Sequence, residues 1–457
     1  MKIHHALFIP LFAQLPGCDA NLSENWTQPI NSVLEDIRNK GKLIVLTRNA
    51  PTTYFHENDK EQGFEYELTR QLAESLKIEV EYKVYNTNSE VMAALAAGEG
   101  HIAAAGLTRT EQEAEYFQFG PSYKTVNQLV ACNRHIKLPK TNRDLPKYSL
   151  LVIADSRNDE KLTELQAELP ALSWQTTRDL STEQVLKKVA QGEVDCTLVA
   201  SNIMAINRIH HPDLIKAYTL SEEKLAWALP GNASHLEQYI ETWFKQIKSD
   251  STFTAINERY YGHAEIFDYY DTSVFLQRVK KRLPKYKAFF KQVANTYKIP
   301  WTLLATQAYQ ESHWDPLAAS PTGVRGLMML TEDTAKTVGV QNRLNPKQSI
   351  IGGAKYLQQL LRKIPKEVAE EDRIWFALAA YNIGYAHLLD ARALARKSGK
   401  NPNVWADIKQ VLPLLAQRRY FKNLKYGYAR GKEPVQYINR IRLYHDVLTK
   451  TVSSKAI

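Results

Sequence analysis

Residues 301–316 read Trp301-Thr-Leu-Leu-Ala-Thr-Gln-Ala-Tyr-Gln-Glu311-Ser-His-Trp-Asp-Pro316, and the fold of the C-terminal part of the chain turns on them. Pro300 marks a helix start and Pro316 lies past its end. Leu304, Ala308 and Glu311 follow at spacings of four and three, so they share one helix face. That face is apolar, which makes Glu311 an acid on a buried stripe near a helix C-terminus. Burial disfavours the charged carboxylate, and the negative end of the helix dipole pushes the same way. A carboxylic acid that keeps its proton near neutral pH is suited to general acid chemistry. His313 points about 100° away from its neighbours and is expected to be a partly exposed bystander. Trp314 reads equally as core and as an aromatic stacking platform.

Outward from this helix the chain stays helical. Apolar periodicity predicts helices over 285–297, 331–339, 349–362, 372–384, 386–398, 404–412 and 434–449, with no strand pattern. An all-α domain of residues 283–457 follows. Residues 263–282 are Tyr- and Asp-rich without a period and read as a linker. Upstream, short β-rich runs alternate with helices: a strand at 42–47, a helix to Ile78, a strand at 80–84, a helix at 89–97, a strand at 101–106, then strand 150–154, helices 158–168 and 182–191, and strands 196–200 and 225–229. A long amphipathic helix is expected over 236–256. This βαβα order predicts two α/β lobes with largely parallel sheets over residues 41–262.

The N-terminus reads as an export signal over residues 1–18, with Lys2 ahead of a short apolar run, followed by a polar tether at 19–40. Leu15-Pro16-Gly17-Cys18 is similar to a bacterial lipobox, with Pro16 an unusual occupant; Cys18 is the candidate lipidation site, and a plain cleaved signal or an uncleaved short anchor is the alternative. Cys132 and Cys196 each sit in an apolar run and read as buried strand cysteines, with a disulfide between them left open. No Cys/His spacing suggests zinc, and neither a metal nor a cofactor is expected. The formal net charge of +10 is unevenly spread: from residue 278 onward there are 32 Lys+Arg and 12 Asp+Glu, against 27 and 37 before it. A strongly basic domain attracts an anionic polymer or surface. No nucleic-acid recognition motif accompanies that charge, and an export signal argues against such a partner.

Three further stretches complete the C-terminal pattern: Ala318-Ala-Ser320-Pro-Thr-Gly-Val-Arg-Gly-Leu-Met-Met-Leu330, Ala379-Ala-Tyr-Asn-Ile-Gly384, and Glu433-Pro-Val-Gln-Tyr-Ile-Asn-Arg-Ile441. With Glu311-Ser312 they resemble, in order, the motifs of the family 1 lytic transglycosylases, which act on peptidoglycan. The resemblance implies a lysozyme-like domain with Glu311 as its single acid/base. Ser320 would orient the MurNAc side, Gly326, Leu327 and Met328 would form the saccharide-facing loop, Tyr381 and Asn382 would line the site opposite Glu311, and Tyr437 with Glu433 would close its far wall. Tyr381 reads equally as a core aromatic, and Met328 and Met329 as packing. Met329 stands where many relatives have Gln, which leaves Arg325 as the candidate for a replacement polar contact. The single carboxylate implies that the MurNAc C6 hydroxyl attacks C1 to give 1,6-anhydroMurNAc. A goose-type-like muramidase hydrolysing the same bond, and a wall-binding receptor without activity, are the competing readings.

The N-terminal half resembles the family 3 extracellular solute-binding proteins through Gly41-Lys-Leu-Ile-Val, Gly63-Phe-Glu-Tyr-Glu-Leu, Ala94-Leu-Ala-Ala-Gly98, Ala105-Gly-Leu-Thr-Arg-Thr110 and Phe119-Gly-Pro-Ser-Tyr123. The implied fold is bilobed with a ligand cleft. Where that family carries an Arg for a ligand carboxylate this chain has Glu113, and the position of its amine-holding Asp falls near Ser201. The ligand is therefore left unknown, with a wall fragment as one candidate. Together the two resemblances imply a periplasmic protein attached to the cell envelope through its N-terminus, at the outer membrane, with Asp19 after Cys18 pointing to inner-membrane retention as the alternative.

Overall fold

The computed structural model describes residues 32–57, 60–264, 269–320 and 323–453. The export segment and Cys18 lie outside the described residues. The tether expectation fails for its last part: α1 (Val33–Lys40) is a helix, closed at its start by the reciprocal Ser32–Glu35 capping box and at its end by left-handed Gly41.

The first lobe runs through β1 (Lys42–Arg48), β2 (Phe55–Glu57), β3 (Lys60–Gln62), α2 (Phe64–Leu76), β4 (Glu79–Tyr85), α3 (Asn88–Ala96), β5 (Ile102–Ala103) and β6 (Phe117–Phe119). The second holds β7 (Lys124–Asn133), β8 (Leu151–Ile153), α4 (Arg157–Glu168), β9 (Gln175–Thr177), α5 (Thr182–Gln191), β10 (Cys196–Ala200), α6 (Ser201–His210) and β11 (Leu214–Leu225). The chain then returns to the first lobe with β12 (Ala228–Pro230), α7 (Ser234–Ser249) and α8 (Thr252–Tyr261).

The expectation of largely parallel sheets holds only in part. In the five-stranded sheet β4-β1-β5-β12-β6, β1 is parallel to β4 and β5, whereas β12 is antiparallel to β5 and β6. The second sheet, β10-β7-β11, is antiparallel throughout. The cause is the double crossing between lobes. β7 leaves the first lobe and β11 returns alongside it, so they pair head to tail, while β8 and β9 of the same lobe keep the expected parallel sense. Cys132 and Cys196 are direct cross-strand partners on β7 and β10 and form a disulfide, fully buried in the second lobe. The predicted single helix over 236–256 is two: left-handed Ser251 breaks it, and Asp250 accepts from the Thr252 N–H to restart it.

The C-terminal domain is helical: α9 (Tyr269–Lys281), α10 (Pro284–Tyr297), α11 (Trp301–Ser312), α12 (Glu332–Val338), α13 (Pro346–Lys363), α14 (Glu370–Ile383), α15 (Tyr385–Lys397), α16 (Trp405–Val411), α17 (Arg418–Phe421) and α18 (Lys432–Ser453). The linker expectation is corrected by α9, whose Phe275 and Val279 are buried in the core of this domain beside Tyr309, Trp314 and Tyr444. Its apolar residues are four apart, a period that its Tyr and Asp content obscured.

The two domains are docked through α8 on one side and α16 and α18 on the other. Glu258 accepts from Lys409 Nζ at 2.9 Å and from Arg442 at 2.9 Å. Arg442 also donates to the Glu258 and Arg259 carbonyls. Ser251 donates to Asp407 at 2.7 Å, and His263 Nε2 meets Asp446 at 2.5 Å. Buried carboxylate–guanidinium contacts with backbone bonds added fix geometry more than they stabilise.

Candidate active site

The chain reverses sharply at the end of α11. His313 and Trp314 are both in the left-handed region, at φ 53° and 58°. Two successive side-chain-bearing residues there store strain, which surrounding structure must hold. Trp314 does so: it is buried, and its indole N–H donates to the Ala305 carbonyl at 2.8 Å. Trp314 is thus core, and its reading as a sugar platform is withdrawn. His313 is exposed.

The reversal lays residues 323–330 back across the end of α11. Ser312 Oγ donates to the Leu327 carbonyl at 2.8 Å, Tyr381 donates to the Met328 carbonyl at 2.9 Å, and the Met328 N–H donates to Ser349 Oγ at 3.0 Å. Gly326 sits at φ +82°, where a Cβ would fall 1.9 Å from the Arg343 carbonyl oxygen, so only glycine fits. Leu327 and Met328 are fully buried. What this loop can offer a saccharide is backbone, since its two large side chains belong to the core.

Glu311 stands at the centre of this frame, deep among protein atoms with one edge open to solvent. Tyr437 of α18 donates to Glu311 Oε1 at 2.6 Å. Burial pushes the Glu311 carboxyl up to about 8, against the pull of the Tyr437 bond. Tyr381 lies within the electrostatic reach of Glu311, and burial with the nearby carboxyl raises its phenol well above the usual value. Among the described residues no second carboxylate acts on Glu311, whose two influences are burial and Tyr437. Asp315 and the Glu332/Asp333 pair are exposed.

The structure therefore brings together Glu311, Tyr437, Tyr381 and the 326–328 backbone. Ser320 lies in the loop, with its Oγ accepting from the Val324 N–H at 3.3 Å. Asn382 is exposed, one residue beyond Tyr381. Glu433 is exposed and paired with Arg430 at 3.2 Å, one turn before buried Tyr437. Two residues that the sequence reading passed over belong to the frame: Ser349, which holds Met328, and Gln307, which is fully buried one turn before Glu311. A polar residue on an otherwise apolar stripe was the available signal for Gln307. No group of three His, Cys, Asp or Glu suited to a metal occurs among the described residues.

A second concave site lies between the lobes of the N-terminal domain, lined by Arg48, Gly106, Thr108, Arg157, Asn158 and Glu223. The capped N-termini of α3, α4 and α5 (Thr87, Ser156 and Ser181) also face it. Glu113 is not in the lining; its carboxylate accepts from Thr110 at 2.8 Å. The guanidinium groups of this cleft come from Arg48 and Arg157 instead. Arg48 is buried, and its Nε has no partner.

These two units define a bilobed solute-binding domain fused to a transglycosylase domain. Residues 42–263 match the bacterial extracellular solute-binding proteins, family 3, and residues 288–404 match the transglycosylase SLT domain. The chain is 41% identical over 444 residues to membrane-bound lytic murein transglycosylase F of Aeromonas hydrophila subsp. hydrophila, spanning 96% of this chain and 87% of that one. It is 44% identical over 411 residues to the protein of that name from Shewanella sediminis, covering 90% and 85%. The chain belongs to the membrane-bound lytic murein transglycosylase F family.

Proposed function

We propose that the C-terminal domain cleaves the MurNAc-β-1,4-GlcNAc bond of peptidoglycan without water, with Glu311 as both acid and base. The observation that carries this is one carboxyl, held protonated near neutral pH by burial, with no second carboxylate among the described residues acting on it. Glycosidases that use water or a covalent intermediate ordinarily need two. Glu311 protonates the glycosidic oxygen, and the C1–O bond breaks. The resulting carboxylate takes the proton of the MurNAc C6 hydroxyl, whose oxygen bonds to C1 and closes the 1,6-anhydro ring. The internal nucleophile brings a high effective concentration. Tyr437 holds Glu311 Oε1 and leaves the other oxygen for the reacting proton. Tyr381 fixes the loop, whose Gly326–Met328 backbone faces the saccharide with Ser320 at its MurNAc side. Asn382 and Glu433 mark the rim. The basic domain attracts the carboxylates on the stem peptides.

The test is mass spectrometry of purified sacculi digested by the wild type and by Glu311→Gln. Anhydro ends from the wild type and none from the variant are expected; reducing ends from the wild type would overturn the reading.

For the N-terminal cleft we propose a carboxylate-bearing ligand, of which a released stem-peptide fragment is the candidate. Arg48, whose Nε has no hydrogen-bond partner, and three helix N-termini support that charge preference. Binding there is read by the lytic domain through α18, which carries Tyr437 at the active site and Arg442 and Asp446 at the domain contact. Equal cleavage rates with and without residues 41–262 would remove that regulatory role. We place the protein in the periplasm at the outer membrane, held through the segment that includes Cys18. Among the described residues no helix is long and apolar enough to cross a membrane.

A further inference from the structure

Gln307 lies on α11 four residues before Glu311, on the same face of the helix. Its side chain is fully buried, and neither its oxygen nor its nitrogen completes a hydrogen bond of ordinary geometry. Buried amides in folded proteins are almost always paired, because leaving both atoms unmade forfeits the hydration they had in the unfolded chain. An amide left this way beside reacting groups calls for an explanation in terms of what the site does. Its neighbour is the Tyr437 hydroxyl, on which the Gln307 side chain acts. Tyr437 in turn holds Glu311 Oε1 at 2.6 Å.

We propose that Gln307 is a positioning residue, which acts through Tyr437 to stabilise Glu311 in its anionic half of the cycle. A phenol has one proton to donate and lone pairs that accept; a carboxamide has both a donor and an acceptor on one rotating group. While Glu311 is neutral, its carboxyl makes modest demands on Tyr437, and the Gln307 amide lies against the phenol without a well-formed bond. Once the glycosidic oxygen has taken the proton, Glu311 is an anion in a buried site. Tyr437 must then point its proton at Oε1. Gln307 Nε2–H closes onto the Tyr437 oxygen from behind, which polarises the phenol and strengthens its bond to the carboxylate. Oε2 is left as the oxygen that accepts the C6 hydroxyl proton. The amide thereby lowers the cost of the intermediate charge without touching the substrate. This rests on Glu311 being the acid/base proposed above.

The experiment compares wild type, Gln307→Met, Tyr437→Phe and the double variant. The first readout is the rate of anhydro-end release from sacculi against pH. The second is isotope-edited infrared titration of the Glu311 carboxyl, identified as the band lost in Glu311→Gln. Gln307→Met is nearly isosteric and removes both polar atoms. It is expected to keep its thermal midpoint and KM, to lose roughly ten- to a hundred-fold in kcat, and to move the Glu311 titration up by about one unit. In the Tyr437→Phe background the same substitution is expected to change neither. Gln307→Asn, which keeps the amide but withdraws it by a methylene, is the second variant should the methionine fail to fold, and an upward titration shift is expected of it too. A wild-type titration in either folded variant overturns the proposal, as does an equal shift with and without the Tyr437 hydroxyl. Active Glu311→Gln would remove the parent reading instead, whereas inactive Glu311→Gln beside wild-type-like Gln307 variants removes this inference alone.

Discussion

Glu65 in the N-terminal domain and Glu311 in the C-terminal domain are chemically a matched pair. Each lies on a helix and is bonded to a buried tyrosine, Tyr123 for Glu65 and Tyr437 for Glu311. Burial raises both, to about 7 and about 8. They differ in what surrounds them. Glu65 is sealed, 1% exposed, and also accepts from the Gly106 N–H at 2.8 Å with the Arg48 charge nearby. Glu311 has Tyr437 on one oxygen and an open edge beside the other. A raised carboxyl is therefore not by itself a sign of catalysis. Glu65 has its bonds spent on fixing the floor of the ligand cleft, while Glu311 keeps one oxygen free for work.

That contrast can be broken by substitution. The largest effect is expected at Glu311: Glu311→Gln should lose at least about a hundred- to ten-thousand-fold in the release of anhydro ends, with its thermal midpoint kept. Glu65→Gln should leave the cleavage rate of the C-terminal domain within about two-fold, because its role is local packing. Next comes Tyr437→Phe. The Tyr437 bond pulls the Glu311 carboxyl down, so its loss lets the proton stay to higher pH. Activity that falls away above about 8 in the wild type should persist to higher pH in the variant, at roughly ten- to a hundred-fold lower kcat.

The remaining two expectations concern the N-terminal domain. Replacing Cys132 and Cys196 by serine opens a loop of sequence separation 64, which should cost about 4 kcal/mol on the loop-entropy estimate. Differential calorimetry should show the N-terminal transition moving down and the C-terminal one unmoved. The smallest effect is the pH slope at Glu65. Its folded value of about 7 lies above the ordinary 4.5, so the folded state binds more protons between them. Stability of this domain is then highest below about pH 4.5 as far as Glu65 is concerned, and is lost as pH rises through 7. Glu65→Gln should flatten that part of the curve.

Much of this was legible in the sequence where the signal is local. The stripe Leu304, Ala308, Glu311 announced a buried acid on a helix, and Glu311 is that. The helical character of the C-terminal domain and the two lobes followed from period and order. Signals that depend on long-range pairing did not. The antiparallel second sheet arises because β7 and β11 cross between lobes together, which no window of sequence records. The Cys132–Cys196 bond needed the strand register. The guanidinium groups that line the cleft, Arg48 and Arg157, come from β1 and the first turn of α4, and Arg157 is paired there with Glu160, Glu164 and Glu223. Trp314 was undecidable because its role as core depends on the backbone reversal at His313.

The central claim is that a single carboxyl serves as acid and then as base, and that water takes no part. It is tested most directly by digesting sacculi with the full chain in ¹⁸O-labelled water and weighing the new ends. Anhydro ends without ¹⁸O are the expected result. New reducing ends carrying ¹⁸O would contradict it, since water would then have attacked C1 and a second base would have to exist.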